Sequence, residues 1–213
     1  MQVLKFGGSS VANAENIQKV LAIVRKASSK DQTIVVVSAL GGVTDQLLQI
    51  GALAAAGNEA FKEDIKLLEQ KHLDTVRTLL PIQAQSATLS WVKQQLNELE
   101  NLCDGIFLLG ELSPRIKDRV ASYGELLSSY IIAATANAHQ LSIKWVDSRK
   151  LIITNAQYGN AAVLFDKTNH AIQSYLKENN ASVYLAPGFI AADEKGYTTT
   201  LGRGGSDYTG AIY

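Results

Sequence analysis

Residues 1–38 read MQVLKFGGSSVANAENIQKVLAIVRKASSKDQTIVVVS. Val3 to Lys5 form a short strand-like run that stops at Gly7-Gly8. Ile17, Val20, Leu21 and Val24 then recur at i, i+3, i+4 and i+7, the spacing of one buried helix face. Ile34 to Val37 is a continuous β-branched run, as in a strand covered on both faces. Strand, helix and strand in that order are the unit of a parallel sheet.

Working outward, the alternation continues. A second glycine loop, Gly41-Gly42, leads into a helix expected near Thr44 to Ala56. From residue 59 to about 110 there is no strand signal. Phe61, Ile65, Leu68, Val76 and Leu79 suit one helix; Leu89, Val92, Leu96, Leu99 and Cys103 suit another, with Pro81 between them. This reads as a helical hairpin inserted between sheet strands. Ser113-Pro114 starts a helix, Ser as N-cap and Pro in the first turn, running to about Ala138. Gly124 lies inside it at a cost of roughly 1 kcal/mol against alanine, which asks for a reason such as close approach of a ligand or another backbone.

Further strands are expected at Ser142 to Val146, Val183 to Ala186 and Thr198 to Leu201, with Ala161 to Lys177 mostly helix. The predicted fold is α/β, a three-layer sandwich with a mostly parallel central sheet. A last helix begins at Ser206 and the chain stops at Tyr213. A helix cut within two turns is marginal alone, so the expectation is a truncated domain.

Composition narrows the function classes. The chain has 213 residues with 20 basic and 20 acidic side chains, a formal net charge of zero. That argues against nucleic acid as the main partner, which needs a basic surface. One cysteine, Cys103, excludes an internal disulfide framework and a Cys-rich metal site; it reads as a small core residue. No run reaches the ~18 consecutive apolar residues of a membrane span, and no signal peptide opens the chain. A soluble cytoplasmic protein with no membrane partner is expected. His72, His139 and His170 show no metal-ligand spacing, and no metal-binding residue is assigned.

The chemistry concentrates in two glycine loops, LKFGGSS (4–10) and TTTLGRGGSDYTG (198–210), each between an apolar run and a helix start. Such loops bind anions through backbone N–H groups and the helix dipole. Lys5 stands at the carboxyl end of the first strand, where open α/β sheets bind ligands, and can neutralise a transferring phosphoryl group. The loop is neither a Walker loop nor GxGxxG. Ser38 and Thr44 flank the second glycine loop; their hydroxyls can bond a substrate, or Thr44 simply caps the next helix. Glu125, in SYGELLSS, can face a pocket and pair with an ammonium group, although residue type alone favours a solvent-facing glutamate. Arg203 can clamp a carboxylate bidentately. Asp207 can cap a helix or orient a lysine.

In chain order, KFGGSSV (5–11), VVVSALGGVTDQL (35–47), SYGELLS (122–128), VDSRKLIIT (146–154, with Ile153 a variable position), GFIA (188–191) and TTLGRGGSDYT (199–209) resemble the aspartate kinases of the amino-acid kinase superfamily. The set covers nearly the whole chain. LKFGGSSVANAENI (4–17) and GIFLLGELSPRIKDRV (105–120) further resemble bifunctional aspartokinase–homoserine dehydrogenases. The resemblance implies phosphoryl transfer from ATP, with Mg2+, to the 4-carboxylate of L-aspartate. That is the first step toward lysine, threonine and methionine. NADP would matter only if a dehydrogenase domain follows.

By that resemblance Lys5 stabilises the transferring group and Asp207 organises Lys5. Gly7, Gly8, Gly204 and Gly205 serve the phosphates. Glu125 binds the substrate ammonium and Arg203 a carboxylate. Ser38, Thr44 and Ser206 line the pocket, and Phe189 supplies backbone contacts. Ser9 stands where the family usually has Thr. The nucleotide half and any regulatory domain of the family would be missing. Residues 1–213 would then be the aspartate-binding part of a homo-oligomeric enzyme, inactive alone. Three other readings remain: a glutamate-type amino-acid kinase, a non-catalytic amino-acid-binding module, and a structural α/β domain with incidental glycine loops.

Overall fold

The computed structural model describes all 213 residues. Its centre is a four-stranded, wholly parallel sheet in the order β1 (Gln2–Phe6), β2 (Thr33–Val37), β5 (Val183–Pro187), β3 (Lys144–Trp145). β2 lies between two neighbours, and all five of its residues are buried. That is why its sequence is apolar without alternation.

The strand period of two separates the layers. Val35, Val37, Val183 and Leu185 face a core built with α1 (Ala14–Ser28), α2 (Val43–Ala55), α3 (Ala60–Leu79), α4 (Ile82–Leu109) and α5 (Pro114–Ala138). Ile34, Tyr184 and Ala186 face the other way, onto Ile172 of α6 (Phe165–Glu178) and Ile212 of α7 (Gly205–Ile212). The result is the expected three-layer sandwich.

Local signals explain the helix ends. Asn13 caps α1 by accepting from the Asn16 amide at 3.0 Å. Ser113 caps α5 and Pro114 fills its first turn, as the sequence predicts. The helical hairpin forms as α3 and α4, hinged at Leu80-Pro81. Cys103 is fully buried within it, and burial pushes its thiol up to about 12. Gly124 is explained by packing rather than by a ligand. A Cβ there would stand 3.0 Å from Ala39 Cβ and 3.2 Å from side-chain atoms of Leu47 and Val43, so α5 and α2 approach at this point.

Two expectations are corrected. Helix α6 begins at Phe165, not Ala161, because the preceding residues pair as extended chain: Val163 bridges Thr154, and the Ala161 amide donates to the Thr200 carbonyl at 2.9 Å. The strand expected over Ser142 to Val146 is only Lys144–Trp145, at the sheet edge. A second sheet was not anticipated: β4 (Ile153–Thr154), β6 (Ile190–Asp193) and β7 (Thr198–Thr200), in the order β4-β6-β7. β4 is two residues long, and β6 reads IAAD, with little β-branched or aromatic content to announce it.

Candidate active site

Parallel pairing brings three loops to one edge. Phe6, Val37 and Pro187 end their strands at matching registers. The ladder runs one bond further, from Ser38 N–H to Phe6 carbonyl (3.1 Å) and Gly188 N–H to Val37 carbonyl (2.8 Å). The chain therefore leaves β1, β2 and β5 side by side at the carboxyl edge, the usual ligand edge of an open α/β sheet. The loop after β7 and the middle of α5 close the sides.

Between them lies a cavity of about 620 Å3. Lys5, Gly7 and Gly8 form its β1 wall; Ser38 and Thr44 its β2 wall; Phe189, Gly204, Gly205, Ser206 and Asp207 its far wall; Glu125 and Arg203 complete it. Every site residue named from the sequence lines this one space. Lys5, Glu125 and Arg203, 120 and 78 residues apart in sequence, meet there only through the fold.

Glu125 is the unusual group. It is 3 % exposed, and its Oε2 has no hydrogen-bond partner. Residue type alone favours a solvent-facing glutamate; helix α5 instead turns it inward, between the glycine loops. Burial raises its carboxyl from an ordinary 4.5 to about 8, against smaller opposite effects from the backbone of Glu125 and Ala39. A buried acid with a free oxygen facing a cavity is completed by a cation or a hydrogen-bond donor.

The opposite rim is exposed and charged. Lys5 Nζ meets Asp207 Oδ1 at 2.7 Å, with the two side chains 25% and 73% exposed. Asp207 does not cap α7; Gly204 does, with φ of 75°. Thr44 likewise does not cap α2, since Gly42 holds that place. Asp207 is therefore free to orient Lys5, and the Thr44 hydroxyl is free of a capping duty. No ion pair within the chain uses Arg203.

Phe189 has φ of 66°, a left-handed value that costs a non-glycine residue. It is held by its amide donating to Thr209 Oγ1 at 2.9 Å and its carbonyl accepting from Leu201 N–H at 2.9 Å. Its donor is thus occupied, and only the carbonyl has spare capacity for a ligand. Beside it, Gly188 carries the start of α7 closely: a Cβ there would lie 2.7 Å from Ser206 Cβ.

Sequence reasoning missed three contributors. Asp45, in the first turn of α2, lines the cavity. Lys71 reaches from α3 to the Gly41 carbonyl at 2.6 Å, tying the helical hairpin to the second glycine loop. Asp118 is 3 % exposed and accepts from Gly159 N–H, Thr200 N–H and Thr200 Oγ1, each at 2.9 Å. Burial pushes its carboxyl up while these bonds pull it down. Its place two turns before Glu125, hence on the same face of α5, was the available signal.

Glycine loops, a lysine and an arginine around the carboxyl edge of a parallel sheet define a protein of the anion-handling α/β class. The Amino acid kinase family profile matches residues 1–213, and the chain belongs to that family. It is 30% identical over 211 residues to bifunctional aspartokinase/homoserine dehydrogenase 1 of Arabidopsis thaliana, covering 99% of this chain and 23% of the plant protein. It is 32% identical over 219 residues to lysine-sensitive aspartokinase 3 of Escherichia coli, covering 99% of this chain and 45% of that protein. Its fold is similar to a crystal structure of E. coli aspartokinase III with aspartate and ADP: TM-score 0.86, 27% identity, 100% of this chain and 46% of that one. The chain thus spans less than half the length of these relatives.

Proposed function

We propose that this chain forms the aspartate-binding part of an aspartate kinase, which transfers the γ-phosphoryl group of ATP to the 4-carboxylate of L-aspartate. The observation that carries the reading is the buried, half-unpartnered Glu125 carboxylate facing a cavity that also holds Arg203 and Lys5. An amino acid with a second carboxylate offers one ammonium and two anionic ends, matching one buried acid and two cations. The kinase relatives and the aspartate and ADP named for the E. coli structure support the assignment.

Each residue then has a task. Glu125 takes the substrate ammonium, which returns its proton equilibrium toward the ionised form. Arg203 clamps a carboxylate, and the Ser38, Thr44 and Ser206 hydroxyls fill the remaining polar contacts. The carboxylate to be phosphorylated is already ionised at neutral pH, since its unperturbed pKa is ~4. No general base is needed. What remains is positioning and charge neutralisation. Lys5, oriented by Asp207, faces the transferring phosphoryl group. Gly7, Gly8, Gly204 and Gly205 let the backbone approach its oxygens, with the α7 N-terminus adding a favourable dipole.

No three His, Cys, Asp or Glu side chains converge to cage a metal. Mg2+ fits this site as a companion of the nucleotide phosphates, its usual mode, with Asp45 and Asp207 the exposed carboxylates that line the cavity. It would screen charge on the transferring group.

The test is calorimetric titration of the chain with L-aspartate, L-glutamate and ADP–Mg2+. Saturable aspartate binding without glutamate binding supports the proposal. A preference for glutamate moves the assignment to another amino-acid kinase. Aspartate binding with no turnover in any longer polypeptide carrying this chain identifies a binding module.

A further inference from the structure

We propose that Asp118 is a positioning residue that sets Arg203 for a substrate carboxylate and so fixes which amino-acid length the site accepts. The inference rests on the reading of Arg203 as the carboxylate clamp.

Arg203 has no ion-pair partner of its own, so its direction depends on the loop that carries it. That loop leaves β7 at Thr200. Asp118 grips Thr200 twice, through the backbone N–H and the hydroxyl, and grips Gly159 once, all at 2.9 Å. The gripped turn is also the support for Gly202, next to Arg203. Gly202 has φ of 73°, and a Cβ there would stand 2.4 Å from Asn160 Oδ1 and 3.4 Å from the Gly159 carbonyl. The Thr200 carbonyl accepts from Ala161 N–H and the Leu201 amide donates to Phe189, both at 2.9 Å. The end of β7 is therefore held from both sides, and Asp118 is its one charged anchor.

The carboxylate has no salt-bridge partner, although it is almost wholly buried. Burying an unpaired carboxylate is unfavourable, and an apolar residue would pack more cheaply. What three bonds to two segments supply is geometry. Asp118 also borders a second cavity, of about 550 Å3, that shares Thr44, Phe189, Gly202 and Arg203 with the main one. It stands beside the site without lining the main cavity.

Helix α5 gives this a consequence for specificity. Asp118 and Glu125 are two turns apart on one rigid helix, about 10 Å along the axis. One holds the loop of the carboxylate clamp and the other faces the ammonium position. The span between the two ends of the substrate is thus set by a single helix, and loosening Asp118 relaxes it.

The test measures Kd for L-aspartate and L-glutamate by calorimetry, in this chain and in any longer polypeptide containing it. The variants are Asp118→Asn, Arg203→Ala, the double variant and Thr200→Val, with thermal unfolding as a check of folding. Arg203→Ala is expected to weaken aspartate binding about 100-fold and Asp118→Asn about 10-fold, while the double variant stays within about 2-fold of Arg203→Ala alone, as for residues acting through one another. Asp118→Asn should also narrow the preference for aspartate over glutamate, which a merely structural role would leave unchanged. Thr200→Val removes one donor at nearly constant shape and should shift both readouts in the same direction by a smaller amount. Full additivity in the double variant, or unchanged affinity and preference in Asp118→Asn and Thr200→Val beside a weakened Arg203→Ala, overturns the inference. An unaffected Arg203→Ala refutes the clamp reading itself, and this inference with it.

Discussion

The two sides of the cavity are built on opposite principles. The α5 side is buried: Glu125, which lines the cavity, and Asp118, which stands beside it, are each 3 % exposed. The glycine-loop side is exposed, with Asp207 73% accessible and its charge already shared with Lys5. On the first side, one missing partner is costly because water cannot replace it. On the second, solvent screens most of what a side chain contributes to stability. The difference teaches where binding energy and where adaptability reside. Under the proposed function, the buried wall would select the amino acid and the exposed rim would handle charge that comes and goes.

The largest expected effect is at Glu125. Glu125→Gln should weaken L-aspartate binding by at least about 100-fold, the loss of a desolvated ion pair, measured by calorimetry. Its effect on the ligand-free fold should run the other way. The folded carboxyl is raised from 4.5 to about 8, so the folded state binds more protons than the unfolded one between these values. Stability of the empty chain should therefore be full below about 4.5, fall as pH rises through that window, and level off above about 8, by on the order of a few kcal/mol. Glu125→Gln should flatten that slope in urea unfolding. A slope that survives the substitution would break the buried side of the comparison.

Arg203→Ala probes the exposed side. It should cost about 2–3 kcal/mol of substrate binding, as for a charge-assisted bidentate contact, while moving the thermal midpoint by less than about 2 °C. Loss of folding would mean that the rim is structural. Gly124→Ala sharpens the contrast from within α5. Its Cβ would press on Ala39, Leu47 and Val43, so despite better helix propensity it should destabilise by about 1–3 kcal/mol in urea unfolding. The smallest effect belongs to Asp207→Asn, which breaks an exposed ion pair and should change stability by less than about 1 kcal/mol.

The sequence made one side of this site more legible than the other. Lys5, Arg203 and the glycines stand in loops between apolar runs, where periodicity stops and composition becomes informative. Glu125 was ambiguous because a mid-helix glutamate is commonly solvated, and only the packing of α5 against Ala39, Val43 and Leu47 turns it inward. Asp118 left only its spacing from Glu125 as a signal, since its partners Gly159 and Thr200 lie 41 and 82 residues away. The parallel sheet was readable from β2 because burial on both faces leaves an uninterrupted apolar run. The second sheet was not, because β4 has two residues and β6 has two alanines in four. Strands that short are set by neighbours distant in sequence.

The most direct test of the central claim compares L-aspartate with succinate, which keeps both carboxylates and lacks the ammonium group. Calorimetric titration of this chain and of Glu125→Gln at pH 7 should show aspartate bound at least about 10-fold more tightly than succinate by the unsubstituted chain. Glu125→Gln should remove most of that preference. Equal affinity of the unsubstituted chain for the two ligands would contradict the account, because the buried carboxylate would then not be reading the ammonium group.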